Sequence, residues 1–389
     1  MKFGNYEIVK YCPEFKNQIL ELLRYHLSDN LDLNAEYLNW KYDHNPYLDS
    51  PLIYFVLWGG QLVGMMGAYG AKWRLGDPCQ TFLGPCLGDA VIHPDHRNPG
   101  LYQKMTAFAL DDLARSGFPY VFDLSARPEI ALSMMMNGWR SLGFFQTAQW
   151  RRNRQAKPSR WRSYARQLPW LAASSRRIRN YARQLSSSQS DQRRPVFDSL
   201  DSHEVQGNSR AKSHISVEKK PRPVEMAALI QQTETDDRLQ HVRDEQFFAW
   251  RFQNPLAQYR FIFWDDDCLQ GYLVLQSSRW SGGGANIVDW EATSGQMLLD
   301  LLQAAIRLSK LNGLNIWSVT LPNDEKRKLE EIGFRLVDKS GSITRDINRP
   351  TVLVKSLAPE TPPSDWVLAN RRLLDVGNWD LRMIYSDNY

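Results

Sequence analysis

Val91-Ile-His-Pro-Asp-His-Arg-Asn-Pro-Gly-Leu-Tyr-Gln-Lys-Met105 is the stretch on which the fold turns. An apolar strand, Cys86 to Ile92, runs into a Pro-Asp-His turn; an Arg-x-x-Gly loop follows, and a helix begins near Gly100. That order brings free backbone N–H groups, the positive end of a helix dipole and the Arg97 guanidinium to one spot, which suits a pyrophosphate. Gly100 lets the backbone approach an anion closely, and Pro99 fixes φ just ahead of the helix. The candidate binding residues are therefore Val91, Ile92, Arg97, Asn98, Pro99, Gly100, Leu101 and Tyr102.

The flanks supply a matching order of elements. Tyr6 to Lys10 reads as a strand, Glu14 to Leu27 as an amphipathic helix, and a second helix runs from an Asn34 N-cap to Tyr42. Leu52 to Trp58 and Gln61 to Ala68 are apolar runs on either side of Gly59-Gly60, a hairpin signal. The helix after the loop carries Leu101, Met105, Phe108, Ala109 and Leu113 at helical spacing. A strand over Tyr120 to Leu124, a helix over Glu129 to Leu142 ending at Gly143, and a strand over Phe144 to Trp150 complete the series.

This stretch resembles the acyl-CoA signature of the GCN5-related N-acetyltransferases (GNAT superfamily), roughly Val-x-x-Pro-x-x-Arg-x-x-Gly-x-Gly/Ala. Ile92, Pro94, Arg97 and Gly100 stand at matching positions, and Tyr102 replaces the usual Gly or Ala. The resemblance covers about 150 residues, down to Leu142-Gly143-Phe144. It implies acetyl-CoA as co-substrate and direct attack of an amine on the thioester, with Ile92 or Val91 giving the N–H that polarises the carbonyl. The family's usual acid is a Tyr four residues before the Gly of a Gly-Phe ending; counted from Gly143 that position is Trp139, a poor proton donor.

For the base, the candidate catalytic residue is Asp89, a carboxylate inside an apolar strand and costly to bury unless partnered or facing a cleft. A structural hydrogen bond to a neighbouring loop is the other reading of Asp89. His93 is an alternative, and Asp123 and Glu129 are weaker ones.

A repeat extends the reading to the rest of the chain. Tyr37-Leu-Asn-Trp-Lys-Tyr-Asp-His-Asn-Pro46 recurs as Phe247-Phe-Ala-Trp-Arg-Phe-Gln-Asn-Pro255, and Leu142-Gly143-Phe144 is echoed by Ile332-Gly333-Phe334. These matches, in one order, argue for duplication of a whole domain. The second copy has no Pro-x-x-Arg-x-x-Gly: its strand Ala285 to Glu291 passes through Ala292-Thr-Ser-Gly295 into a helix capped by Ser294. The expected fold is α/β, with two acetyltransferase-like domains, each a mixed, mostly antiparallel sheet flanked by helices. Residues 1–150 form the acyl-CoA-binding domain, 151–213 a basic linker, and 214–389 a degenerate copy that shapes or covers the substrate cleft.

Charge is concentrated in that linker. Arg151 to Arg194 holds 13 Lys or Arg and one acid, a net +12 against +5 for the whole chain, so the remainder is acidic at −7. Tyr164-Ala-Arg-Gln-Leu168 recurs as Tyr181-Ala-Arg-Gln-Leu185, a basic-aromatic element suited to an anionic membrane surface or an acidic polymer. At 389 residues and 43% hydrophobic content the chain supports two cores. No signal peptide is expected, since Met1 to Lys10 lacks an uninterrupted apolar core; no run is long enough to span a bilayer, and the four cysteines and seven histidines show no metal-ligand spacing. The expected setting is cytoplasmic, with peripheral contact to the inner membrane face as an extension, and no metal is expected.

Three functions fit. The first is an acetyl-CoA-dependent N-acetyltransferase acting on a small-molecule amine, with an amino sugar of surface polysaccharide synthesis as the preferred acceptor. The second is a Fem-type aminoacyl or peptidyl transferase; the intact Arg97-x-x-Gly100 loop counts against it and against nucleic acid as a partner. The third is a non-catalytic, CoA-binding, membrane-associated accessory protein.

Overall fold

The computed structural model describes residues 1–97, 100–126, 128–144, 146–152, 214–233, 236–278, 284–308, 311–337, 351–358 and 361–386. Asn98, Pro99 and residues 153–213 of the basic linker lie outside the described residues.

The first half runs β1 (Lys2–Phe3), β2 (Tyr6–Lys10), α1 (Lys16–Leu23), α2 (Leu31–Leu38), β3 (Leu52–Trp58), β4 (Gln61–Leu75), β5 (Gln80–Ile92), α3 (Leu101–Arg115), β6 (Tyr120–Ala126), α4 (Pro128–Met136), β7 (Arg140–Phe144) and β8 (Thr147–Arg151). The second half runs β9 (Ile215–Glu218), α5 (Pro223–Thr233), β10 (Gln240–His241), α6 (Glu245–Arg251), β11 (Ala257–Asp266), β12 (Cys268–Ser278), β13 (Ala285–Ala292), α7 (Gly295–Leu308), β14 (Gly313–Trp317), α8 (Asn323–Glu331), β15 (Arg335–Val337) and β16 (Thr351–Ser356).

Most expected elements are present, with shifted ends. The β3–β4 hairpin turns on Gly59 and Gly60, both at positive φ (57° and 85°), as a two-residue turn demands. Asn30, not Asn34, caps α2: its side chain accepts from the Asp32 and Leu33 N–H groups. Asn34 is buried instead, and its amide donates to the Leu20 and Ser28 carbonyls. The helix expected over Glu129 to Leu142 stops at Met136, because Gly138 adopts φ 88° and turns the chain. The strand expected over Phe144 to Trp150 is two strands, β7 and β8, and they lie in different sheets.

That separation organises the molecule. One sheet has the order β1-β2-β3-β4-β5-β6-β16-β7, and the other β15-β8-β14-β13-β12-β11-β9. All pairings are antiparallel except β5 with β6 and β13 with β14. β16, from the second half, inserts between β6 and β7. β8, from the first half, inserts between β14 and β15. Each half therefore gives the other one interior strand.

The repeated Trp motif sits where the halves meet. The Trp40 indole N–H donates to the Trp250 carbonyl at 2.9 Å, and the Trp250 indole N–H donates to the Trp40 carbonyl at 2.7 Å. The rings stack with centroids 5.6 Å apart. Reciprocal contacts of this kind mark an internal two-fold. Around them one hydrophobic cluster spans both halves, from Trp73 and Phe122 to Phe247, Tyr272 and Trp379. Trp250→Ala is expected to cost about 3–5 kcal/mol of stability, measured by urea denaturation; a loss under about 1 kcal/mol would show that the junction contributes little.

Candidate functional site

β5 is bent at its working end. Met65 pairs with Val91 and Gly67 with Gly88, so Asp89 and Ala90 together oppose Met66 alone. This is a β-bulge, and Asp89 takes φ 48° within it. The parallel pairing of β5 with β6 is confined to Cys86 and Phe122. Beyond that point the strands diverge, and the wedge between them opens toward the start of α3.

Of the sequence-predicted residues, Ile92, Arg97 and Gly100 lie at the end of β5 and the start of α3. His93 donates its N–H to the Val63 carbonyl at 2.8 Å, so His93 faces β4 and, by alternation, the Ile92 N–H and C=O face the wedge. The Arg97 Nε donates to that Ile92 carbonyl at 3.1 Å, which folds the exposed guanidinium back over the strand end. Gly100 is the N-cap of α3 at φ 95°, where a side chain would be strained, and among the described residues no side chain caps the helix. The first-turn N–H groups of this 15-residue helix thus stay available to an anion, with the dipole adding its positive end.

The other predicted positions divide. Val91 and Leu101 are buried core residues. Tyr102 leans on the core under α3, and burial, followed by the Asp123 charge, pushes its hydroxyl up to about 12. Asp123 accepts the Ser125 N–H at 3.0 Å on β6. His93 accepts from the Asp95 N–H and lies 3.0 Å from the half-exposed Tyr25 hydroxyl. Glu129 is in the first turn of α4.

Asp89 is the surprise. Its carboxylate accepts from Lys41 Nζ at 2.6 Å, from the Tyr42 hydroxyl at 2.7 Å and from the Tyr37 hydroxyl at 3.0 Å. Lys41 itself is fully buried, its ammonium among the rings of Tyr37, Tyr42 and Tyr69. Burial alone would raise the Asp89 carboxyl; the Lys41 ammonium and His26 outweigh it and hold the group well below the usual carboxylate range. A buried carboxylate partnered in this way is the arrangement that the other reading of Asp89, a structural hydrogen bond, describes. Gly67 permits the arrangement: a Cβ there would lie 2.0 Å from the Tyr42 hydroxyl oxygen.

One neighbour of Asp89 reaches solvent. His26, just after α1, places Nε2 3.6 Å from Asp89 Oδ1, with 29% of its side chain exposed. Nothing in the local sequence singled it out, since it lies 63 positions before Asp89 and meets it only in the fold.

The expected acid position moves as well. The Trp139 N–H bonds to the Met134 carbonyl and the Phe334 N–H to the Leu329 carbonyl, the same helix-ending geometry after Gly138 and Gly333. Gly138-Trp139, not Gly143-Phe144, therefore matches Gly333-Phe334, and the place four residues before the glycine belongs to Met134. Met134 and Trp139 are both buried, and neither can donate a proton to a leaving group.

In the second half, Ser294 caps α7 by accepting the Met297 N–H, and no arginine stands in the shorter loop before it. Its buried charges form a different cluster. Asp289 accepts from Arg243 and Arg382, each at 3.1 Å, and from the Tyr272 hydroxyl at 2.8 Å. Among the described residues no group of three or more His, Cys, Asp or Glu is placed to hold a metal ion, and no helix is long and apolar enough to cross a membrane.

Residues 8–134, from β2 into α4, match the family model of the acetyltransferase (GNAT) domain. That family's chemistry is transfer of an acyl group from acyl-CoA to an amine. Among solved structures, a GCN5-related N-acetyltransferase from Anabaena variabilis is similar at 12% identity and a TM-score of 0.55, covering 91% of this chain and 73% of its own. A probable N-acyltransferase from Enterococcus faecalis gives 10% and 0.54 over the same shares. A GCN5-related N-acetyltransferase from Kribbella flavida gives 13% and 0.52, covering 90% and 72%. At these identities the likeness speaks to the fold, which is that of acetyltransferases over nine-tenths of the chain. No curated protein matches the sequence.

Proposed function

We propose that this protein is an acetyl-CoA-dependent N-acetyltransferase built from tandem copies of one domain. The first copy, 1–150, holds the reaction, and the second, 214–389, is a non-catalytic copy. The observation that carries this reading is the wedge between β5 and β6, with the Ile92 N–H on its wall and the uncapped, glycine-started α3 at its mouth. The wedge suits an extended acyl-pantetheine arm, and the α3 N-terminus with Arg97 suits the diphosphate.

The residues divide the work as follows. The Ile92 N–H donates to the thioester oxygen as charge gathers there during attack by the amine nitrogen. His26 accepts the proton that the amine sheds, and Asp89, fixed by Lys41 and the two tyrosines, orients the imidazole and faces its positive charge. No described side chain supplies the acid, so the thiolate leaves without one and is protonated from solvent. The acceptor is a primary amine of a small molecule, and amino sugars are the first class to test. The basic segment 151–194 is the part assigned to an anionic membrane surface or acidic polymer.

Calorimetry with acetyl-CoA tests the loop. The native chain should bind, and an Arg97→Ala, Gly100→Asp double variant should lose binding by at least about a hundredfold, since it removes a charge-assisted contact and puts a carboxylate where the diphosphate belongs. A well-folded native chain that binds no acetyl-CoA would overturn the proposal.

A further inference from the structure

The second half encloses a cavity of about 260 Å³ between the ends of β13 and β14, under α7 and α8. β13 and β14 pair only at Ala285–Leu314 and Asn286–Asn315 and then diverge, as β5 and β6 do. The cavity is thus the counterpart of the first half's wedge, but its lining is different. Trp290, Leu298, Leu302, Ile316, Leu321 and Leu329 make an apolar floor, and Asp324 and Glu325, from the first turn of α8, stand at its edge.

Two features decide what this space fits. A diphosphate is disfavoured, because two carboxylates face the position and the loop before α7 lacks the arginine. Glu325 is largely buried, and that burial raises its carboxyl above the ordinary value. The arginines nearest to it are already engaged. Arg382 binds Asp380 at 2.9 Å and Asp289 at 3.1 Å, and Arg238 binds Asp236 and the Trp379 carbonyl. Lys328, at the rim, lies 4.0 Å from Asp324. A half-buried carboxylate beside a roomy apolar floor is complementary to a cation attached to a hydrocarbon body.

We propose that the second half is a receptor site for a hydrophobic amine: the hydrocarbon fills the 260 Å³ cavity and the ammonium pairs with Glu325, while Asp324 stays with Lys328 at the rim. The site is separate from the acyl-CoA wedge and needs no acetyl transfer to be detected.

The test is calorimetric titration of the full chain with n-octylamine, n-octanol and octanoate as probes. Octylamine should bind, octanol at least about tenfold more weakly, and octanoate more weakly still. Glu325→Gln should weaken octylamine by about tenfold or more while leaving octanol and acetyl-CoA binding unchanged. Leu298→Trp, which fills the cavity, should abolish binding of both octylamine and octanol; if that variant does not fold, Glu325→Gln decides alone. Equal affinity for octanol and octylamine, preference for octanoate, displacement of octylamine by acetyl-CoA, or indifference to Glu325→Gln would each overturn the proposal.

Discussion

His26→Ala is expected to lower kcat for acetyl transfer by about a hundred- to ten-thousandfold, the usual contribution of a positioned general base, and to leave acetyl-CoA affinity unchanged. The expectation follows from geometry. His26 lies 3.6 Å from Asp89 in the bulge, whereas Arg97 folds back on the Ile92 carbonyl. Steady-state rates with a responsive amine, together with calorimetric acetyl-CoA binding, would check it. A variant with near-native kcat would remove His26 from the mechanism and leave deprotonation to solvent.

Lys41→Met should cost about 3–5 kcal/mol of stability, because it leaves Asp89 charged, buried and without the lysine it pairs with. Adding Asp89→Asn should recover part of the loss, since the neutral amide removes the unpaired charge, tolerates φ 48° and still accepts from a tyrosine hydroxyl. Urea denaturation of the two single variants and the double variant makes the cycle. Independent, additive losses would mean that the ion pair is not the unit that matters. The pH dependence has a definite sign. The Asp89 carboxyl lies lower in the folded protein than in the unfolded chain, so its stabilisation is present above the unfolded value of about 3.9 and is lost as pH falls below it. Asp89→Asn, Lys41→Met should therefore show a flatter loss of stability in acid than the native protein.

Much of the first half could be read from local patterns. The Gly59-Gly60 hairpin, the strand into Pro94 and the helix from Gly100 are each fixed by residues next to one another in the chain. The reach of the repeat was also legible, because Trp40 and Trp250 are matched residue for residue. What the Trp motif is for was not legible, since a reciprocal pair of hydrogen bonds exists only once the halves meet. The helix end at Gly138 was missed because Asn137-Gly138 and Leu142-Gly143-Phe144 are both plausible stops, and only the bond from Trp139 to Met134 separates them. Asp89 was found for the right reason, a carboxylate in an apolar strand. Its partners were not, because Lys41 reads as an ordinary helical lysine until the π-helical turn over Asn39–Asp43 swings it inward.

The exchange of β8 and β16 has a consequence for synthesis. As the chain leaves the ribosome, β6 and β7 appear early, but the strand that belongs between them is encoded roughly two hundred residues later. Until Thr351–Ser356 emerges, the first sheet has two open edges facing one gap, a state prone to pairing with other chains. Each sheet is complete only with a strand from the other half, so removing either half should leave the remaining sheet with an unfilled gap.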